Sequence, residues 1–187
     1  MLLHELIASL FTAMLNHAYA PKKFSISTII SIPKNKRKAL TASSNYRGIA
    51  LSSVLGKLLD WIILDANGDT FKTTDMQFGF KRDHSTSQCT YACEEIINHY
   101  NKRHSDVYAV FLDASKAFDR INYIQLFKIM RRKGLCPVYT EFIQKSYLNQ
   151  RIRTKWHGCH SETVIICNGV KQSVFYLGCT WMSCCSN

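Results

Sequence analysis

Apolar residues recur at three- and four-residue steps from the beginning of the chain. Leu3, Leu6, Ile7, Leu10, Phe11 and Met14 fall on one stripe, which predicts an amphipathic helix that Pro21 ends. Phe24 to Ile32 is short, rich in β-branched residues and bounded by Pro21 and Pro33, the pattern of a strand. A basic loop, Lys34-Asn35-Lys36-Arg37-Lys38, then runs into a polar turn from Thr41 to Asn45. Ser53 is a fitting N-cap for a second helix with Val54, Leu55, Leu58, Leu59, Ile62 and Ile63 on one face. After a loop rich in Asp, Asn, Gly and Thr, Ser85 to Tyr100 has helical spacing, with Cys89, Ala92, Cys93, Ile96 and Ile97 as its expected inward face.

Val107-Tyr108-Ala109-Val110-Phe111-Leu112 is a continuous apolar run and predicts a strand buried on both faces. Asn122 and Gly134 bracket a further helix, and Pro137 opens the next. Arg151 to Trp156 and Thr163 to Cys167 predict a pair of strands around a turn at Gly158. No internal repeat or long low-complexity segment interrupts this order, which is that of an α+β chain.

Charge and length narrow the picture. The chain has 187 residues, 47% of them hydrophobic, enough for one domain with a core of its own. Its 24 Lys and Arg against 13 Asp and Glu give a net charge of +11. That balance suits a polyanionic partner, nucleic acid first and an acidic membrane second, with a merely solvated basic surface as the plain alternative. The opening stretch carries His4 and Glu5, lacks a basic lead and is broken by Asn16 and His17, so neither a signal peptide nor a membrane span is expected. The eight cysteines are then expected as free thiols in a reducing intracellular compartment, cytoplasm or nucleus. Cys89 and Cys93 sit at helical spacing and read as core residues. His157, Cys159, His160 and Cys167 could be imagined as a zinc site, but no paired C-x-x-C supports one, and ordinary loop and strand positions are the favoured reading.

Candidate chemistry centres on Asp113, which ends the apolar run, with Asp119 six residues on. A strand that delivers a carboxylate into a turn presents a hard oxygen ligand suited to Mg²⁺, and two-metal phosphoryl transfer needs carboxylates that hold both ions close together. An Asp after a strand is also a common turn or cap residue, so this spacing alone leaves both readings open. Arg151, Arg153 and Lys155 alternate, which in a strand puts them on one face, facing either phosphates or solvent.

Four blocks settle on a resemblance. Asn45-Tyr46-Arg47-Gly48-Ile49-Ala50-Leu51, Gln77-Phe78-Gly79-Phe80-Lys81, Val110-Phe111-Leu112-Asp113-Ala114-Ser115-Lys116-Ala117-Phe118-Asp119-Arg120 and Asn168-Gly169-Val170-Lys171-Gln172 stand in the order and approximate spacing of signature blocks in reverse transcriptases of the non-LTR (LINE-type) retrotransposons. The chain resembles that family over nearly its whole length up to Gln172. The resemblance implies an incomplete right-hand polymerase fold: a helical fingers-like region over 1–105, a partial antiparallel palm sheet over 106–172, and no thumb. It implies RNA-directed DNA synthesis in the parent family, with an RNA template, a DNA primer, deoxynucleotide triphosphates and Mg²⁺, and no membrane. By position, Asp113 matches the first catalytic, metal-binding aspartate. Phe118 matches the bulky residue that crowds the ribose 2′ position. Arg47, and more weakly Lys34, match cations of the fingers that contact the triphosphate, and Gln172 matches a glutamine beside the incoming nucleotide. Asp119 is assigned a structural role as readily as a metal one.

The resemblance stops after Gln172. The family continues with a turn, a helix and a hairpin bearing an aromatic-x-Asp-Asp or Asp-Glu motif, whereas residues 173–187 contain no Asp or Glu. The genetic code offers a reason. Trp181-Met182 is encoded only by TGGATG, and reading one base earlier turns that junction into GAT, an Asp codon. With an AGY codon at Ser183 the next triplet is Glu, and Cys184-Cys185 then force Leu-Leu. Cys179-Thr180-Trp181 in the same frame yield Tyr or His followed by Leu, Met or Val. Residues 173–187 are therefore expected to be a frameshifted tail, with the shift near Gln172. A chain with Asp113 as its one matched carboxylate is expected to be inactive, with Mg²⁺ not bound productively. The alternative reading is a non-catalytic basic module that binds nucleic acid.

Overall fold

Local capping decides where most of the helices begin and end. The computed structural model describes residues 2–37, 39–72, 74–79, 81, 83–113 and 117–169, with the side chains of Ala117 and Phe118 excepted. Helix α1 (Leu3–Asn16) opens with the Leu2 N–H donating to the Glu5 carboxylate at 3.1 Å. A single helical turn, α2 (Lys22–Ser25), follows Pro21. Helix α3 (Val54–Ala66) is capped by Ser53, whose hydroxyl accepts from the Gly56 N–H, and α4 (Thr86–Asn101) by a reciprocal capping box between Ser85 and Gln88.

Helix α5 (Tyr123–Arg132) starts at Asn122, whose side-chain oxygen accepts from the N–H groups of Ile124 and Gln125. It stops in a Schellman turn: Gly134 takes φ +80°, its N–H donates to the Arg131 carbonyl, and the Leu135 N–H reaches back to Met130. Pro137 stands at the first position of α6 (Pro137–Leu148), where its missing N–H costs nothing.

The strands form one sheet. β1 (Ile26–Pro33) pairs antiparallel with β2 (Tyr46–Leu51), from Thr28 opposite Leu51 to Pro33 opposite Tyr46. On its other side β1 pairs in parallel with β3 (Arg151–Trp156), Ile26 beside Arg151 and Ile30 beside Lys155. β4 (Cys159–His160) and β5 (Val164–Ile165) both pair antiparallel with β3, at its end and its start respectively. The β3–β4 turn is His157-Gly158, at φ +44° and +83°. Two central residues with positive φ make the two-residue hairpin whose twist suits the flanking strands. The expected turn at Gly158 is thus present; of the expected second strand, Thr163 to Cys167, only Val164–Ile165 is a strand, and β4 forms ahead of it at Cys159–His160.

The core is helical. Phe11 and Met14 of α1, Leu59 and Ile63 of α3, Phe71, Ile121, then Tyr123, Leu126, Phe127 and Met130 of α5, Leu135, and Phe142, Ile143 and Tyr147 of α6 make one buried cluster. The N-terminal stripe is buried only at its later end: Leu3, Leu6 and Leu10 stay exposed, and so do Val54, Leu58 and Ile62 of α3.

Two expectations are corrected. Val107–Leu112 is not a strand: it has no regular structure, and Tyr108, Val110, Phe111 and Leu112 are each at least 84% exposed. A strand exists only where a neighbour accepts and donates its backbone hydrogen bonds. Here the strands of the described sheet pair among themselves, with β1 at the centre and flanked on one side by a parallel partner. The antiparallel palm sheet around the Asp113 segment is therefore not among the described residues. The other correction is α4, which buries none of its residues; Cys89, Ala92, Cys93 and Ile96 are exposed and Ile97 is half-buried. The two departures go together. A helix face needs an apolar layer to lie on, and the segment that follows α4 supplies no sheet. Capping, rather than burial, holds that helix.

Candidate nucleic-acid interface

Register across a sheet decides which side chains share a face, because paired residues project to the same side and the side alternates at every step. Arg47 pairs with Ile32, Ile49 with Ile30 and Leu51 with Thr28. Across the parallel seam Ile26, Thr28 and Ile30 pair with Arg151, Arg153 and Lys155. One face of the sheet thus carries Arg47 from β2 and Arg151, Arg153 and Lys155 from β3, with the β1 residues Thr28, Ile30 and Ile32 between them. Arg153 is fixed in this row by donating its Nε hydrogen to the Thr28 hydroxyl at 3.1 Å. Arg47, Arg151 and Lys155 are exposed. The opposite face carries Tyr46 and Trp156, whose rings meet edge to face at 5.3 Å.

The basic loop between β1 and β2 is tied down by a residue whose role the sequence did not reveal. Asn45 is 7% exposed. Its side-chain oxygen accepts from the Asn35 N–H at 3.2 Å, and its amide donates to the carbonyls of Asn35 at 2.9 Å and Ala39 at 3.4 Å. Tyr46 adds a bond from its hydroxyl to the Leu40 carbonyl at 2.9 Å. Both belong to a block singled out by resemblance, and an Asn at the end of a polar turn is the signal from which this role could have been read. Lys34 spends its ammonium inside the same loop, donating to the Ser44 carbonyl at 2.9 Å.

The other expected positions are scattered. Asp113 is exposed at the end of the irregular segment. Phe118 and Asp119 fall in a turn of 3₁₀ helix, Ala117–Arg120, with Asp119 exposed. Gln172 and the tail 173–187 lie outside the described residues. His157 forms the β3–β4 turn and Cys159 and His160 form β4, so hairpin geometry accounts for their places.

Residues 32–178 match the family model described as Reverse transcriptase (RNA-dependent DNA polymerase), a span that includes the first residues of the tail. The chain is 30% identical over 149 residues to the "Probable RNA-directed DNA polymerase from transposon BS" of Drosophila melanogaster, covering 78% of this chain and 16% of that protein. It is 28% identical over 173 residues to the RNA-directed DNA polymerase from mobile element jockey of the same species, covering 90% of this chain and 19% of the relative. It is 24% identical over 154 residues to the Pol polyprotein from the type-2 retrotransposable element R2DM, again of Drosophila melanogaster, covering 81% and 14%. The chain belongs to the reverse transcriptase (RNA-dependent DNA polymerase) family, as a domain of the non-LTR retrotransposon type. It spans between 14% and 19% of the length of these relatives.

Reverse transcriptases use a divalent metal such as Mg²⁺, so the donor set can be tested against one. Every Asp and Glu of the chain lies among the described residues. Among those residues no three of His, Cys, Asp and Glu gather where they could hold a metal ion. Asp113 alone does not meet the demand of a two-ion centre for carboxylates that bridge and flank both metals.

Proposed function

We propose that this polypeptide is a fragment of a retrotransposon RNA-directed DNA polymerase that does not itself extend a primer. In this reading residues 1–105 are fingers-like and 106–172 belong to a palm, with the β1–β3 seam joining the two in one sheet. Arg47, and more weakly Lys34, are assigned to the nucleotide phosphates, and Phe118 and Gln172 to recognition of the nucleotide, as the family resemblance implies. The observation that carries this reading is that, among the described residues, no group of three His, Cys, Asp or Glu that includes Asp113 could hold a metal ion. In-line attack by a primer 3′-hydroxyl needs both metal positions, and each 1.4 kcal/mol of lost transition-state stabilisation slows the step about tenfold. A frameshift near Gln172 accounts for the missing motif; sequencing the transcript across codons 170–187 tests it, and a continuous frame with no Tyr-x-Asp-Glu reading one base earlier overturns it. Primer extension on an RNA template with Mg²⁺ or Mn²⁺ tests the whole reading. No product above background is expected from the purified chain, and templated extension refutes the proposal.

The shared face of the sheet favours a second reading beside the first, retained binding of nucleic acid without chemistry. The alignment of Arg47, Arg151, Arg153 and Lys155 supports it, since cations in rows neutralise phosphates and release counterions. Binding of an RNA–DNA hybrid that weakens with salt, and weakens further in Arg151→Gln/Arg153→Gln/Lys155→Gln, is the expected result.

A further inference from the structure

The outer side of α5 concentrates positive charge that neither the sheet face nor the fold explains. α5 buries Tyr123, Leu126, Phe127 and Met130, and this spacing leaves Lys128, Arg131 and Arg132 exposed on the other side. No Asp or Glu occurs between Asp119 and Glu141, and Glu141 is itself paired with Lys145 at 2.8 Å. Among the described residues Lys128, Arg131 and Arg132 make no ion pair; Arg131 donates to the Gln144 side chain at 3.4 Å.

Like charges three and four residues apart repel and destabilise a helix. The negative end of the helix dipole offsets part of that cost for Arg131 and Arg132 in the last turn. Lys128 stands a turn further in, where the dipole gives little, yet it sits four residues from Arg132 on the same stripe. This arrangement costs helix stability and lacks an internal counter-charge, and a polyanion supplies what is missing.

We infer that Lys128, Arg131 and Arg132 form a second phosphate-binding ridge, which holds the backbone of a nucleic-acid duplex separately from the sheet face. The inference rests on the nucleic-acid-binding reading above. From Lys128 to Arg132 the helix rises about 6 Å, the axial run of about two phosphates of one strand. Contacts of this kind fix the position of a duplex without reading its sequence. An acidic membrane offers phosphates too, but a helix that lies on a membrane presents an apolar face to it, and the apolar face of α5 is spent on the core.

The test uses the full chain and a fluorescein-labelled RNA–DNA hybrid, titrated over a range of salt concentrations. Lys128→Gln/Arg131→Gln/Arg132→Gln is expected to weaken binding about tenfold or more at low salt. It is also expected to lower the slope of log K against log salt by about 2 to 3, near the count of lost phosphate contacts. The charge-keeping variant Lys128→Arg/Arg131→Lys/Arg132→Lys is expected to keep the slope, which separates charge from a packing role. An unchanged slope in the glutamine variant, with the sheet-face variant still impaired, overturns the ridge and leaves the sheet-face reading standing. Absence of hybrid binding by the unmodified chain at every salt concentration overturns both. Binding to phosphatidylserine vesicles that excess hybrid does not compete away also overturns the ridge, since the cations then serve a lipid surface.

Discussion

Tyr123 shows how a single polar atom can be stranded in an apolar core. Its ring packs edge to face on Tyr147 at 5.3 Å and against Phe127 at 6.1 Å, and the contact places its hydroxyl where no hydrogen-bond partner stands among the described residues. Burial, and secondarily the charge of Cys167, push the phenol up to about 12. The folded state therefore holds the proton more tightly than the unfolded chain. Burial penalises only the phenolate, so the folded state loses nothing to this ionisation below about pH 10 and loses stability as pH rises from there toward 12. Tyr123→Phe keeps the ring contacts and removes the stranded oxygen, so it is expected to leave neutral stability unchanged or raise it by about 1 kcal/mol. It should also shallow the alkaline fall in stability between pH 10 and 12. Urea denaturation at pH 7 and across the alkaline range checks both, and destabilisation by the Phe variant at pH 7 counts against the stranded hydroxyl.

At the scale of elements, α5 was legible because everything that makes it is local. Asn122 caps it, Gly134 takes the left-handed φ that its Schellman turn needs, Pro137 opens the next helix, and the buried positions follow the helical period. Leu126 is 0% exposed at the centre of that buried stripe. Leu126→Ala is expected to cost about 2–5 kcal/mol, read as a shift in the urea midpoint with the slope unchanged. A cost below about 1 kcal/mol contradicts the packing described. The same logic explains what could not be read. The alternation of Arg151, Arg153 and Lys155 was visible in one strand, but their shared face with Arg47 depends on how β1, β2 and β3 register, and no local spacing encodes that. The apolar run 107–112 had the composition of a strand, yet composition does not supply a neighbour.

On the scale of the whole molecule, that run is the most exposed apolar segment described, with Leu112 at 95% and Phe111 at 87%. Six residues of high β-propensity with no charge, Pro or Gly are the composition that stacks into intermolecular sheets. Phe111→Lys is expected to lower light scattering of the concentrated protein at least several-fold while leaving the far-UV circular dichroism unchanged, since the side chain supports nothing in the fold. Equal scattering by variant and parent directs attention to another surface. The helical core, by contrast, is drawn from α1, α3, α5 and α6, so its stability depends on segments far apart in sequence. The parallel seam reaches far along the chain: Thr28 meets Arg153 across 125 residues. On a ribosome adding about 5–20 residues per second, β1 emerges roughly 6–25 s before β3 has been synthesised. Through that interval the β1 edge of the nascent hairpin of β1 and β2 stays open, and the hairpin's survival until β3 arrives is left to the speed of translation and to whatever chaperone covers it.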